Sequence, residues 1–200
     1  MRRWVVTGAV FVSGFAGMSG AAALLLSYHV GHGLLPGAFS TLVAVCMLGL
    51  AAGARLTGAS GMKVHGLVHL RLFMVAMCGL DLTVCSSRPG WLFGAAFFFS
   101  AMVLGSEFPV ALEVLGKGGG TSLCAAAGIG AAVGAYLSVG WLIPLYGTNT
   151  LFMLLAGIHT VTSVALGVAL LPGRSPGRWV KVRRGREPLI RIGDGRPRAS

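Results

Sequence analysis

Charge is what this chain has least of. Only 10% of its 200 residues are Asp, Glu, Lys or Arg, against roughly 25% in a soluble domain. Acid is scarcer still: five carboxylates, Asp81, Glu107, Glu113, Glu187 and Asp194, stand against sixteen Lys and Arg. With 55% hydrophobic residues, too little polar surface is left to keep such a chain in water. Cysteine is also sparse. Cys46, Cys78, Cys85 and Cys124 include no Cys-x-x-Cys pair, which excludes a disulfide framework or a zinc pattern and leaves small buried thiols. The common catalytic signatures are missing: no nucleophile elbow, no phosphate loop, no HExxH. Gly193-Asp-Gly195 has neither a strand before it nor a helix after it, so it is not a nucleotide site. No acid–base or nucleophile set converges, so no catalytic residue, metal ligand or cofactor is assigned, and an enzyme acting alone is the least expected reading.

What the chain has is long apolar runs. They lie near residues 4–28, 37–57, 64–85, 91–113, 121–145 and 150–171, each of a length that crosses a bilayer as a helix. The expectation is an all-α, polytopic six-helix transmembrane domain over residues 1–171 and a tail over 172–200. No soluble domain of ordinary size fits in the remainder. Arg2 and Arg3 resemble the start of a signal peptide, but the apolar run continues to Tyr28, beyond the usual h-region of about 7–15 residues. It reads as an uncleaved first helix.

The net charge of +11 is informative through its placement. Nine of the sixteen basic residues follow Pro172. Arg2 and Arg3 precede the first run, Arg55, Lys63 and Arg71 surround the second connection, and Lys117 sits in the fourth. Only Arg88 falls on the other side. Positive charge marks cytoplasmic loops, so this sorting puts both termini in the cytoplasm of a bacterial-type inner membrane. The tail carries Arg178, Lys181, Arg183, Arg184 and Arg186 among Gly and Pro, a composition that predicts disorder. Such a segment is drawn to anionic lipid by about 1 kcal/mol per basic residue near the surface. Its single aromatic, Trp179, makes no stacking platform, so nucleic acid is not an expected partner.

Inside the runs, Gly49-x-x-x-Gly53 and Gly130-x-x-x-Gly134 are of the kind that lets helix backbones approach in lipid. The alternative is a path or hinge lined by small residues. Ionisable residues within spans are costly and are functional candidates. Asp81 lies near the outer end of the third run, either as such a site or reaching the interface to meet Arg88. Glu107 lies two residues before Pro109, which removes a backbone donor and frees a carbonyl. Carboxylate and freed carbonyl together suit a cation or proton site. The competing reading pairs Glu107 with a basic residue at the inner interface. His65 and His69 share a helix face at spacing i, i+4, but read better as interfacial residues than as ligands.

Three blocks carry a resemblance. Val12-Ser-Gly-Phe-Ala-Gly17 is one, and Val43–Ala54 is the second. The third is Gly105-Ser-Glu-Phe-Pro-Val110, followed by Ala127-Gly-Ile-Gly-Ala-Ala-Val-Gly-Ala-Tyr136 and Leu142-Ile-Pro-Leu-Tyr-Gly147. In this order they resemble the membrane module of the fused, membrane-bound spermidine synthase-like (polyamine aminopropyltransferase) proteins, over roughly residues 10 to 171. The chain departs from that pattern at Ser19-Gly20, where an aromatic-Glu pair is usual, and near Ala126, where an Asn is usual. The family's Rossmann-like catalytic domain has no counterpart here. The resemblance implies a membrane module that binds or transports a small cationic solute such as a polyamine. Alternatives are an anchor or scaffold for a separately encoded soluble enzyme, or half of a major-facilitator-like carrier acting as a dimer. Expected partners are the bilayer and its anionic lipid, with a soluble enzyme or a homo-oligomer as further candidates.

Overall fold

The computed structural model describes residues 2–33, 36–60, 65–87, 89–116 and 118–170. The tail, with Arg178, Lys181, Arg183, Arg184 and Arg186, lies outside the described residues, as do Lys63, Arg88 and Lys117.

Among the described residues the chain is helical, with no strand. Helices run Arg2–His32 (α1), Pro36–Ser60 (α2), His65–Ser87 (α3), Gly90–Leu115 (α4), Gly120–Leu137 (α5) and Ile143–Leu170 (α6). Chain punctuation sets these ends. Pro36 opens α2, where its missing N–H costs nothing. Gly33 (φ 80°) follows α1, and Gly116 (φ 73°) follows α4 with its N–H 2.9 Å from the Leu112 carbonyl, positive-φ backbone that glycine adopts freely.

Among the described residues, five helices are long and apolar enough to cross a membrane, the last of them 50 residues from Gly120 to Ala169. Between the fifth and sixth apolar runs, at residues 146–149, two helical stretches meet at a kink. A π-helical turn, Ser138–Leu142, joins α5 to α6, and Gly147 alone leaves helical geometry (φ 79°, ψ 167°).

Helices α1, α3, α4 and α6 surround the interior. Helix α2 packs chiefly on α4, and α5 on α1. Both outer helices dock through glycine. A Cβ at Gly49 or Gly53 would strike the carbonyls of Phe98 or Met102, and one at Gly105 that of Leu50. Likewise Gly130 and Gly134 lie against the carbonyls of Phe11 and Phe15, and Gly14 against that of Ala127. Lipid gives no hydrophobic drive between helices, so such backbone contact is how they gain attraction. Large apolar side chains such as Phe39, Met47, Trp141 and Val164 point outward, as a lipid-facing surface requires.

Candidate functional site: a buried ionic layer and an apolar cavity

Each inner helix contributes a buried stripe with helical spacing. On α3 it is Leu67, Arg71, Met74, Cys78 and Asp81. On α4, Phe93, Phe97, Glu107 and Ala111 are buried, with Ser100 and Leu104 between them on the same face. On α6 it is Phe152, Leu155, His159 and Ser163; on α1, Val6, Val10 and Ser13. Polar residues thus fall on interior faces, where they must find one another.

At one level four helices meet. Arg71 is only 1% exposed. Its Nε lies 2.7 Å from Oε1 of Glu107. One terminal nitrogen lies 3.3 Å from His159 Nδ1, and the other donates to the Ala9 carbonyl. The Ser13 hydroxyl donates to the second oxygen of Glu107. Arg71 therefore does not belong with the loop cations, where its sequence neighbourhood placed it. A guanidinium one turn further out could reach the headgroups along its own stem; this one finds a carboxylate, a carbonyl and an imidazole inside. Each ion alone would be costly at this depth. Paired and hydrogen-bonded, they neutralise each other and tie α1, α3, α4 and α6 together. Of the two sequence readings of Glu107, this is the paired one, with the partner inside the bundle and not at the interface.

Pro109 sits within an unbroken α4. Lacking an N–H, it leaves the Gly105 carbonyl without its helical partner, and Gly105 itself is pressed on α2.

Beyond the ionic layer lies a cavity of about 560 Å3, within the usual range for small-molecule sites. Its wall is mostly apolar, with Met74, Met77, Phe97, Leu104, Phe152 and Leu155. Asp81, 4% exposed, also lines it. The Ser100 hydroxyl donates to Asp81 across 3.2 Å to one oxygen and 3.4 Å to the other. No described cation pairs with it: the ion pair among the described residues is Arg71–Glu107. The Arg88 partner considered from sequence lies outside the described residues. Arg71 and Asp81 are ten residues apart on α3, about 15 Å at 1.5 Å per residue.

A second, more polar cavity of about 440 Å3 opens one helical turn past Asp81, between Ser27, His32, Cys85, Thr148 and Asn149. Phe93 lines it, and Tyr28 stacks on His32 with ring centroids 4.7 Å apart. No group of three His, Cys, Asp or Glu is placed to hold a metal ion among the described residues. His69 is exposed.

Sequence reading singled out Glu107, Pro109 and Asp81. The structure adds Arg71, His159, Ser13 and Ser100. Depth was the signal available for the ionic layer: Arg71 lies six residues from the start of α3 and Glu107 eight from the end of α4. Successive antiparallel helices bring those depths together. No family model, curated protein or solved structure matches this chain.

Proposed function

We propose that this is a six-span inner-membrane protein, both termini cytoplasmic, that binds and moves a small cationic solute of the polyamine kind. Asp81 carries the reading. A carboxylate turned into an apolar cavity, held by one hydroxyl and no described cation, is a counter-charge in want of a partner. Glu107 is a poorer candidate than its place beside Pro109 suggests, because Arg71 already neutralises it. The polar cavity one turn beyond Asp81 supports a route of entry from that side. The six-span count is supported by length. Fifty residues of helix would run about 75 Å, more than twice the roughly 30 Å hydrocarbon core, and Gly147 is where the direction can reverse. Cytoplasmic termini are supported by the sorting of Arg and Lys among the connections.

The test is uptake of labelled putrescine and spermidine by liposomes holding the purified chain. Saturable uptake that is lost in Asp81→Asn, with the variant still folded, is expected. Uptake equal to that of empty liposomes, or untouched by Asp81→Asn, would refute the proposal.

A further inference from the structure

The hydrogen-bonding chemistry at the two ends of the cavity is unequal, and the inequality specifies the solute. A guanidinium carries donors only. Arg71 faces Nδ1 of His159 at 3.3 Å, so Nδ1 is the acceptor. The ring is then neutral, with its proton on Nε2. That Nε2 is buried with no partner among the described residues, and His159, 1% exposed, lines the cavity. A buried N–H without an acceptor is costly to leave unmade. Glu107 also lines this end, but its two oxygens face Arg71 and Ser13, so what this end offers beyond them is a spare donor.

The other end offers the reverse. An ionised Asp81 has acceptors only, and Ser100 occupies a fraction of them. The two groups also lean toward each other. Cys85 and Ser86 of α3 meet Thr148 and Asn149 of α6 at one level, while Arg71 meets His159 at another, so the helices are antiparallel. Side chains tilt toward their own helix N-terminus. Asp81 is thereby directed toward the ionic layer and His159 toward Asp81, which shortens the gap between them.

From this we infer that the cavity takes an amine that is cationic at one end only. Its ammonium meets Asp81 and its far end presents a neutral acceptor oxygen to His159, as in a mono-N-acylated diamine. The inference rests on the cationic-solute reading above and narrows it. A free diamine would set an ammonium, all donors, against the Nε2–H of His159. An amide or hydroxyl oxygen accepts from it, and an aliphatic spacer fits the apolar wall of Met74, Leu104 and Leu155.

Calorimetric titration of the purified full chain with diaminohexane and with its mono-N-acetyl derivative tests this. The acetylated amine should bind about tenfold more tightly, the effect of one buried hydrogen bond made against one left unmade. Asp81→Asn should weaken both. His159→Asn keeps an oxygen near Arg71 but withdraws the donor from the place of Nε2, and should bind the two amines alike. A free diamine that binds as tightly as its acetylated form to the native chain overturns the inference, as does a preference that survives His159→Asn. In either case the cationic reading stands. If neither amine binds a folded protein, that reading falls and this one with it.

Discussion

Replacing Glu107 with Gln separates charge from shape at the ionic layer. Arg71 and Glu107 are 1% and 2% exposed, and the Nε–Oε1 distance is 2.7 Å. In the variant the side-chain oxygen still accepts from Arg71, and the amide nitrogen can donate to Ser13, whose hydroxyl accepts as readily as it donates. What is lost is the neutralising charge. Removing one partner of a buried pair costs about 3–5 kcal/mol, because the other ion is left uncompensated. The surviving hydrogen bonds argue for the lower end, about 3 kcal/mol, or a fall in Tm of roughly 6–12 °C for a chain this size. Cys78, 7% exposed, becomes reactive on unfolding, so in a background with the exposed Cys124 and the half-buried Cys46 and Cys85 replaced by Ala a maleimide dye reports the melt. Adding Arg71→Met removes the stranded cation, and the double variant should melt above Glu107→Gln alone even though it loses more atoms. A single variant that melts with the native protein would show that the pair is not neutralising a buried charge. A double variant that melts below Glu107→Gln would show that the charge is not what the single variant lost.

Other substitutions probe the scaffold and the cavity. Gly53→Ala and Gly134→Ala force a methyl onto a neighbouring backbone carbonyl and should cost about 1–3 kcal/mol each. Gly79→Ala and Gly157→Ala, which meet open space, should melt as the native chain does. Gly147→Ala places a side chain at φ 79°, ψ 167°, backbone that only glycine adopts freely, and should cost about 1–3 kcal/mol by the same dye assay. Asp81→Asn should raise Tm while weakening amine binding, since it removes an unpaired buried charge that the proposed solute would otherwise satisfy.

The helical spans could be read from the chain because apolar runs long enough to cross a bilayer have few other solutions. The glycine pairs were visible for a similar reason: a residue with no side chain in lipid serves close approach or little else. The ionic layer was not visible in this way. A cation six residues into an apolar run looks, in one dimension, like one that reaches back to the headgroups, and only the partner tells the two apart. That partner, Glu107, is 36 positions away in sequence, and Ser13 and His159 are further still. The segment after Leu137 was legible in part. Gly147 and Asn149 carry the composition of a turn, and Gly147 is where the backbone kinks. Pro144, which has no N–H to give, stands just after the π-helical turn Ser138–Leu142, an irregularity that such a gap accompanies. Only Gly147 leaves helical geometry.

The charges of the interior set a constraint stronger than any one contact. Arg71 and Glu107 cancel, which leaves Asp81 as the net charge of the cavity wall. On the proposed reading, one uncompensated negative charge in an apolar wall matches one positive charge on the solute. A second ammonium would be desolvated with nothing to meet it, the expense that the Arg71–Glu107 pair avoids. Were Arg71 absent, Glu107 would supply a second counter-charge about 10 Å along the axis, the seven-residue rise on α4 from Ser100, the partner of Asp81, and a fully charged diamine could bridge the two. Arg71 thus does more than brace four helices. If the cavity takes a cation as proposed, Arg71, by occupying Glu107, lowers the valence that the cavity accepts from two to one. Arg71→Met, if folded, should shift preference from the acetylated amine toward the free diamine in the same titration. An unchanged preference would mean that Glu107 does not face the solute even when released.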